Sequence, residues 1–134
     1  NIRILKAKVQ MDIQSILGKE FIEKVKIDEN ILAVILFGSY ATHKQKSSSD
    51  IDICIVLNPN KYSNLFMSEK KLEYLRVAKN GKIDVHIFQQ LPLYIRIRIL
   101  EGIILLCKNY DLIYKIAFQT IKEFEYFKKY YYEH

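Results

Sequence analysis

Two apolar runs with a short polar loop between them constrain this chain more than any other feature. The first is ILAVILF at 31–37, and it stops at Gly38-Ser39. The second is IDICIVL at 51–57, and Asp50 and Asp52 stand at its mouth. Both runs are short and rich in branched residues, which reads as two strands, the first covered on both faces. Side chains alternate along a strand, so Asp50 and Asp52 share a face as neighbours. Carboxylates that close repel each other unless a cation sits with them. All-oxygen ligands suit a hard ion such as Mg2+, which keeps water and substrate phosphates in its shell. Gly38 allows a tight turn out of the first strand. Ser39 then opens a short helical turn whose amides and hydroxyl can hold phosphate. A phosphate cradle beside paired carboxylates is equipment for metal-assisted phosphoryl or nucleotidyl transfer.

Composition narrows the setting. The 134 residues suit one domain, 1–134, large enough to bury a core. Half of the residues are hydrophobic and 27% are charged, which argues against disorder. The net charge of +6 suits a triphosphate site or an acidic partner. The lysines are scattered rather than massed, so direct nucleic-acid binding is not expected. Cys54 and Cys107 each lie inside an apolar run and read as buried thiols rather than a disulfide or metal pair. Three His without close Cys/His spacing argue against structural zinc. No signal-like or membrane-spanning apolar run is present, and the expected location is the cytoplasm.

Periodicity orders the remaining segments. Apolar residues Ile13, Ile16, Leu17, Phe21 and Val25 make one helical stripe within 4–26, weakened at Gly18. Residues 39–43 should form a short helix and 44–49 a loop. Leu65, Met67, Leu72, Leu75 and Ala78 predict a helix over 65–79, stopped at Asn80-Gly81. Residues 82–88 alternate as a third strand, with Ile83, Val85 and Ile87 on one face and Asp84, His86 and Phe88 on the other. Residues 92–101 alternate like a strand, but Pro92 fits a first helical turn and Gly102 a helix end, so a helix is predicted. Residues 103–107 form a fourth strand and 111–131 the longest helix. Helices packed on a small mixed sheet satisfy this order, an α/β (α+β) fold.

The Gly38-Ser39 turn followed by Ser49-Asp50-Ile51-Asp52 after a strand resembles the signature of the nucleotidyltransferase superfamily related to DNA polymerase beta. The short chain looks like its minimal nucleotidyltransferase branch. Lys82-Ile83-Asp84-Val85, Ile99-Leu100-Glu101-Gly102 and the long terminal helix extend the likeness over nearly the whole chain. The resemblance implies a polymerase-beta-like fold with Asp50, Asp52 and Asp84 as catalytic metal ligands, and Gly38 and Ser39 gripping the nucleotide. It implies two Mg2+ ions, with ATP as substrate. Many such proteins are antitoxins paired with a HEPN-type RNase toxin, and some transfer AMP from ATP to a toxin tyrosine. The sequence departs from many relatives at Thr42-His43, where an Arg-Gly pair is common.

Other residues have plainer readings beside the functional ones. Asp84 by itself fits an outward charge on an open sheet face, and only the likeness makes it a third carboxylate. His86 shares that face and reads first as a half-buried strand histidine. Lys44 and Lys46 read as solvent-facing loop residues. Tyr110, Tyr114, Phe118, Tyr126, Tyr130, Tyr131 and Tyr132 exceed what one core stripe needs, and either meet a protein partner or cap the sheet. Two alternatives stand beside AMP transfer to a toxin. One is an antitoxin that neutralises by contact alone. The other is transfer to an RNA end or a small molecule, for which the chain lacks the extra domains that such relatives carry.

Overall fold

The computed structural model describes residues 6–7, 13–38, 50–79 and 81–132. In chain order its elements are β1 (Lys6–Ala7), α1 (Ile13–Leu17), α2 (Lys19–Ile27), β2 (Ile31–Phe37), β3 (Ile51–Leu57), α3 (Asn64–Val77) and β4 (Ile83–Ile87). A 3-10 turn at Phe88–Gln90 leads to α4 (Leu93–Ile99), β5 (Ile103–Cys107) and α5 (Tyr110–Tyr132). Among the described residues the strands form one sheet in the order β1-β5-β2-β3-β4. β2 pairs antiparallel with β3 and with β5, whereas β3–β4 and β1–β5 are parallel, so the sheet is mixed as expected.

Strand alternation sorts the core into two layers. Val34 and Leu36 of β2, the odd residues 51–57 of β3, and Ile83, Val85 and Ile87 of β4 pack against α1, α2 and α3. Ile35, Cys54, Val56 and Phe88 face the opposite way, against Ile99 and Leu100 near the end of α4 and Ile113 and Ala117 of α5. Each fully buried Leu or Ile contributes about 1.5–3 kcal/mol, which is why β2, covered on both faces, is the spine of the fold. The end of β3 is fixed by Gln89, whose side-chain amide accepts from Leu57 N at 3.0 Å and donates to Leu57 O at 2.8 Å. Cys54 is buried and Cys107 half-buried, and both are free thiols. Among the described residues, no helix is long and apolar enough to cross a membrane.

Two local readings need correction. The stripe over 4–26 is not one helix. Residues Lys6–Ala7 pair with Ile103 and Ile104 as an edge strand, and Gly18, at φ 87°, separates α1 from α2. A side chain at Gly18 would bring its Cβ within 2.9 Å of Lys79 Cβ, so the close approach of the chain that leaves α3, as well as backbone conformation, selects glycine there. In α3 the residues that bury are Met67 and Tyr74, whereas Leu65 and Leu72 are exposed. Tyr74 turns inward because its ring meets Phe21 at 5.0 Å and its hydroxyl donates to Asp28 Oδ2 at 2.9 Å. An aromatic ring with a partner for its polar tip gains more from burial than a leucine at the rim. The helix predicted over 92–101 is present as α4. It is shorter than predicted, ending at Ile99, and Gly102 lies three residues beyond, where a Cβ would collide with the Leu36 carbonyl oxygen. The predicted short helix at 39–43 lies outside the described residues.

Candidate active site

β2 ends where β3 and β4 begin, and that corner is open on the face that α4 and α5 cover elsewhere. The register puts Phe37 opposite Asp52, and Asp52 opposite Asp84, in one row across three strands. The next row pairs Cys54 with His86. Asp52, Asp84 and His86 all point to the α4 side, because Ile51, Ile53, Ile83 and Val85 occupy the other face. His86 Nε2 lies 3.0 Å from Asp84 Oδ2 and 3.7 Å from Asp52 Oδ1. The His86 ring stands edge-on to Phe37, with centroids 5.5 Å apart.

Among the described residues, Asp52, Asp84 and His86 each bring one donor atom within 4.8 Å of the others, a group able to hold a metal ion. Asp50, the other predicted ligand of its strand, is exposed one residue before β3 and stands outside that group. Burial raises the Asp52 carboxyl above its ordinary range. His86 opposes that shift, while the charges of Asp84 and Asp50 add to it. Such a carboxylate gains from a cation beside it.

Gly38 closes the corner from above. Its φ is 78°, and a Cβ built there would stand 2.6 Å from Asp52 Oδ2. Glycine is therefore required twice, by the backbone and by the carboxylate beneath it. Ser39 lies outside the described residues, as do Thr42-His43, Lys44 and Lys46. A cavity of about 410 Å³ opens beside Gly38 and Asp52, between the end of β2 and the end of α4. Among the described residues, Phe37, Ile95, Arg98, Glu101 and Gly102 also line it. Sequence reasoning gave His86 a structural role, although its place on the Asp84 face was the signal that it belongs here. Arg98 was missed because nothing in its own spacing separates it from Arg96.

Strands meeting at an open corner, with a carboxylate–imidazole cluster able to hold a cation under a glycine turn, define an α+β domain. The chain belongs to the "Polymerase beta, Nucleotidyltransferase" family, whose model matches residues 19–111. It is 34% identical over 100 residues to "Putative protein adenylyltransferase MJ1547" of Methanocaldococcus jannaschii, a match over 74% of this chain and 68% of that protein. A second protein of that organism, "Putative protein adenylyltransferase MJ1379", is 33% identical over 79 residues, covering 58% of this chain and 77% of the relative. The fold is shared with a chain of a toxin-antitoxin crystal structure with AMP-PNP, at a TM-score of 0.63 and 21% identity over 84% of this chain and 90% of that one. It is also shared with a chain of the complex of tri-AMPylated Shewanella oneidensis HEPN toxin with MNT antitoxin. There the TM-score is 0.56, with 18% identity over 80% of this chain and 83% of that one.

Proposed function

We propose that this protein is a single-domain, metal-dependent nucleotidyltransferase that moves AMP from ATP onto a tyrosine hydroxyl of a HEPN-type RNase toxin in the cytoplasm, and so serves as its antitoxin. The observation that carries the reading is the register of Asp52 opposite Asp84, with Gly38 packed directly over Asp52. The similarity to MJ1547 supports the class of reaction. The fold shared with antitoxin chains supports the class of partner.

The donor set fits a divalent cation, because two carboxylates and an imidazole converge at a partly buried corner. Asp52 and Asp84 would hold it, with Asp50 reaching in from the strand mouth, and Mg2+ there would neutralise charge on the phosphoryl group in transfer. Gly38 and Ser39 would grip the triphosphate through their backbone amides. Asp84, on the outer strand of the row, serves the acceptor hydroxyl by orienting it or taking its proton. The acceptor oxygen forms a bond to the α-phosphorus, the bond to the bridging oxygen breaks, and pyrophosphate leaves. His86, 3.0 Å from Asp84, holds that carboxylate in place.

The test supplies the co-purified protein and HEPN toxin with Mg2+ and ATP labelled at the α-phosphate. Label and one AMP of added mass on a toxin tyrosine support the reading. Neutralisation of the toxin with no added mass would leave an antitoxin that acts by contact alone.

A further inference from the structure

Among the described residues, the cavity beside the carboxylates is lined by acidic and apolar groups and one guanidinium. Asp52 and Glu101 face it, and among the described residues Arg98 is the cation in its lining. Arg96, two residues earlier on α4, is already used by the fold. Its Nε donates to Leu91 O at 3.1 Å, its guanidinium lies 5.9 Å from the Phe88 ring centroid, and Nη1 is 3.9 Å from Glu123 Oε2. Two helical residues differ by about 200° around the axis, so Arg98 points away from that packing. It is exposed, and none of the ion pairs among the described residues involves it.

We infer that Arg98 binds the β- and γ-phosphates of the nucleotide and holds the pyrophosphate as it leaves. The inference rests on the nucleotidyltransferase reading above and follows from the order of the strands. Asp84 lies on β4, Asp52 on the neighbouring β3, and Gly38 and Arg98 on the far side, at β2 and α4. In-line transfer puts the entering and leaving oxygens on opposite sides of the phosphorus. With the acceptor over Asp84 and the α-phosphate over Asp52, the leaving group falls in the cavity between Gly38 and Arg98. A planar guanidinium fork matches phosphate oxygens in that position. It also offsets the carbonyl ends of α4 and the Glu101 carboxylate, which would otherwise repel an anion there.

The experiment is calorimetric titration of ATP, pyrophosphate and AMP, each with Mg2+, into wild type, Arg98→Ala and Arg98→Lys, with thermal melts on the same samples. Loss of a charge-assisted contact should weaken ATP and pyrophosphate binding by about tenfold or more in Arg98→Ala. AMP binding should stay within about twofold of wild type, and Arg98→Lys should recover part of the loss. Equal ATP binding by wild type and Arg98→Ala overturns the inference while leaving the nucleotidyltransferase reading intact. An equal loss for ATP and AMP overturns it too, because Arg98 would then act on the site as a whole. Failure of wild type to bind ATP at all removes the reading and the inference together.

Discussion

Gly38 carries no Cβ, and one placed there would meet Asp52 Oδ2 at 2.6 Å. Gly38→Ala should therefore displace the carboxylate and strain a backbone at φ 78°. A destabilisation of about 1–3 kcal/mol is expected by thermal melting, with loss of the Mg2+-dependent rise in melting temperature. Asp52→Asn should act in the opposite direction on the metal-free protein. Burial, together with the neighbouring Asp84 and Asp50, raises the Asp52 carboxyl, so its ionised form costs stability as pH climbs past the raised value. In EDTA near pH 7 Asp52→Asn should melt at or above wild type, and Mg2+ should no longer raise its melting temperature. A variant that melts well below wild type in EDTA would show that the carboxylate is a structural partner rather than a ligand held in readiness.

At the level of elements, α5 divides its labour by face. Ile113, Ala117 and Thr120 are buried, the first two in the core layer with Ile35 and Val56 of the sheet. Tyr110, Tyr114 and Phe118 recur at four-residue steps, as do Tyr126 and Tyr130 beyond Lys122, and all five aromatics are exposed, Phe118 and Tyr126 each to 62%. These aromatics are the candidate surface for the toxin proposed as partner. Tyr126→Ser with Tyr130→Ser should weaken toxin binding by about tenfold or more, as loss of interface aromatics does, and leave the melting temperature nearly unchanged. Equal toxin binding would move the interface elsewhere. The existence of β2, β3, β4 and α5 was legible because each has a clear period or an unbroken apolar run. The row from Phe37 through Asp52 to Asp84 needed the register, which a single sequence carries only for residues two apart on one strand. α3 misled because Leu65 and Leu72 sit at helical spacing without burying. Tyr74 buries through an Asp28 partner 46 residues away, which no local pattern encodes. The two-residue β1 is below any periodic signal, since its pairing with β5 alone defines it.

For the molecule as a whole, Asp28 ties separate layers together. Lys70 Nζ lies 2.7 Å from Asp28 Oδ2, Tyr74 donates to the same oxygen, and Lys108 Nζ donates to the Asp28 carbonyl at 2.7 Å. Burial alone would raise the Asp28 carboxyl, but the Lys70, Asn30 and Tyr74 hydrogen bonds outweigh it and leave the group below its ordinary range. A lowered folded value means this stabilisation is complete above the unfolded carboxyl's range and is lost as pH falls through the folded value. Asp28→Ala should lower stability by about 1–3 kcal/mol at pH 7, and by less at pH 3, in denaturant titrations. The same loss at both pH values would show that ionised Asp28 is not what joins these elements.

The division of labour proposed between Asp52 and Asp84, neighbours in one row of the sheet, is the central claim. The most direct measurement runs two assays on one preparation of Asp84→Asn, namely calorimetric Mg-ATP binding and transfer of labelled AMP to the toxin. The predicted result is measurable Mg-ATP binding with transfer reduced about a hundredfold or more, because Asp84 serves the acceptor side. Transfer at the wild-type rate would contradict this, leaving Asp84 as a solvated strand residue and Asp52 without a functional partner across the row.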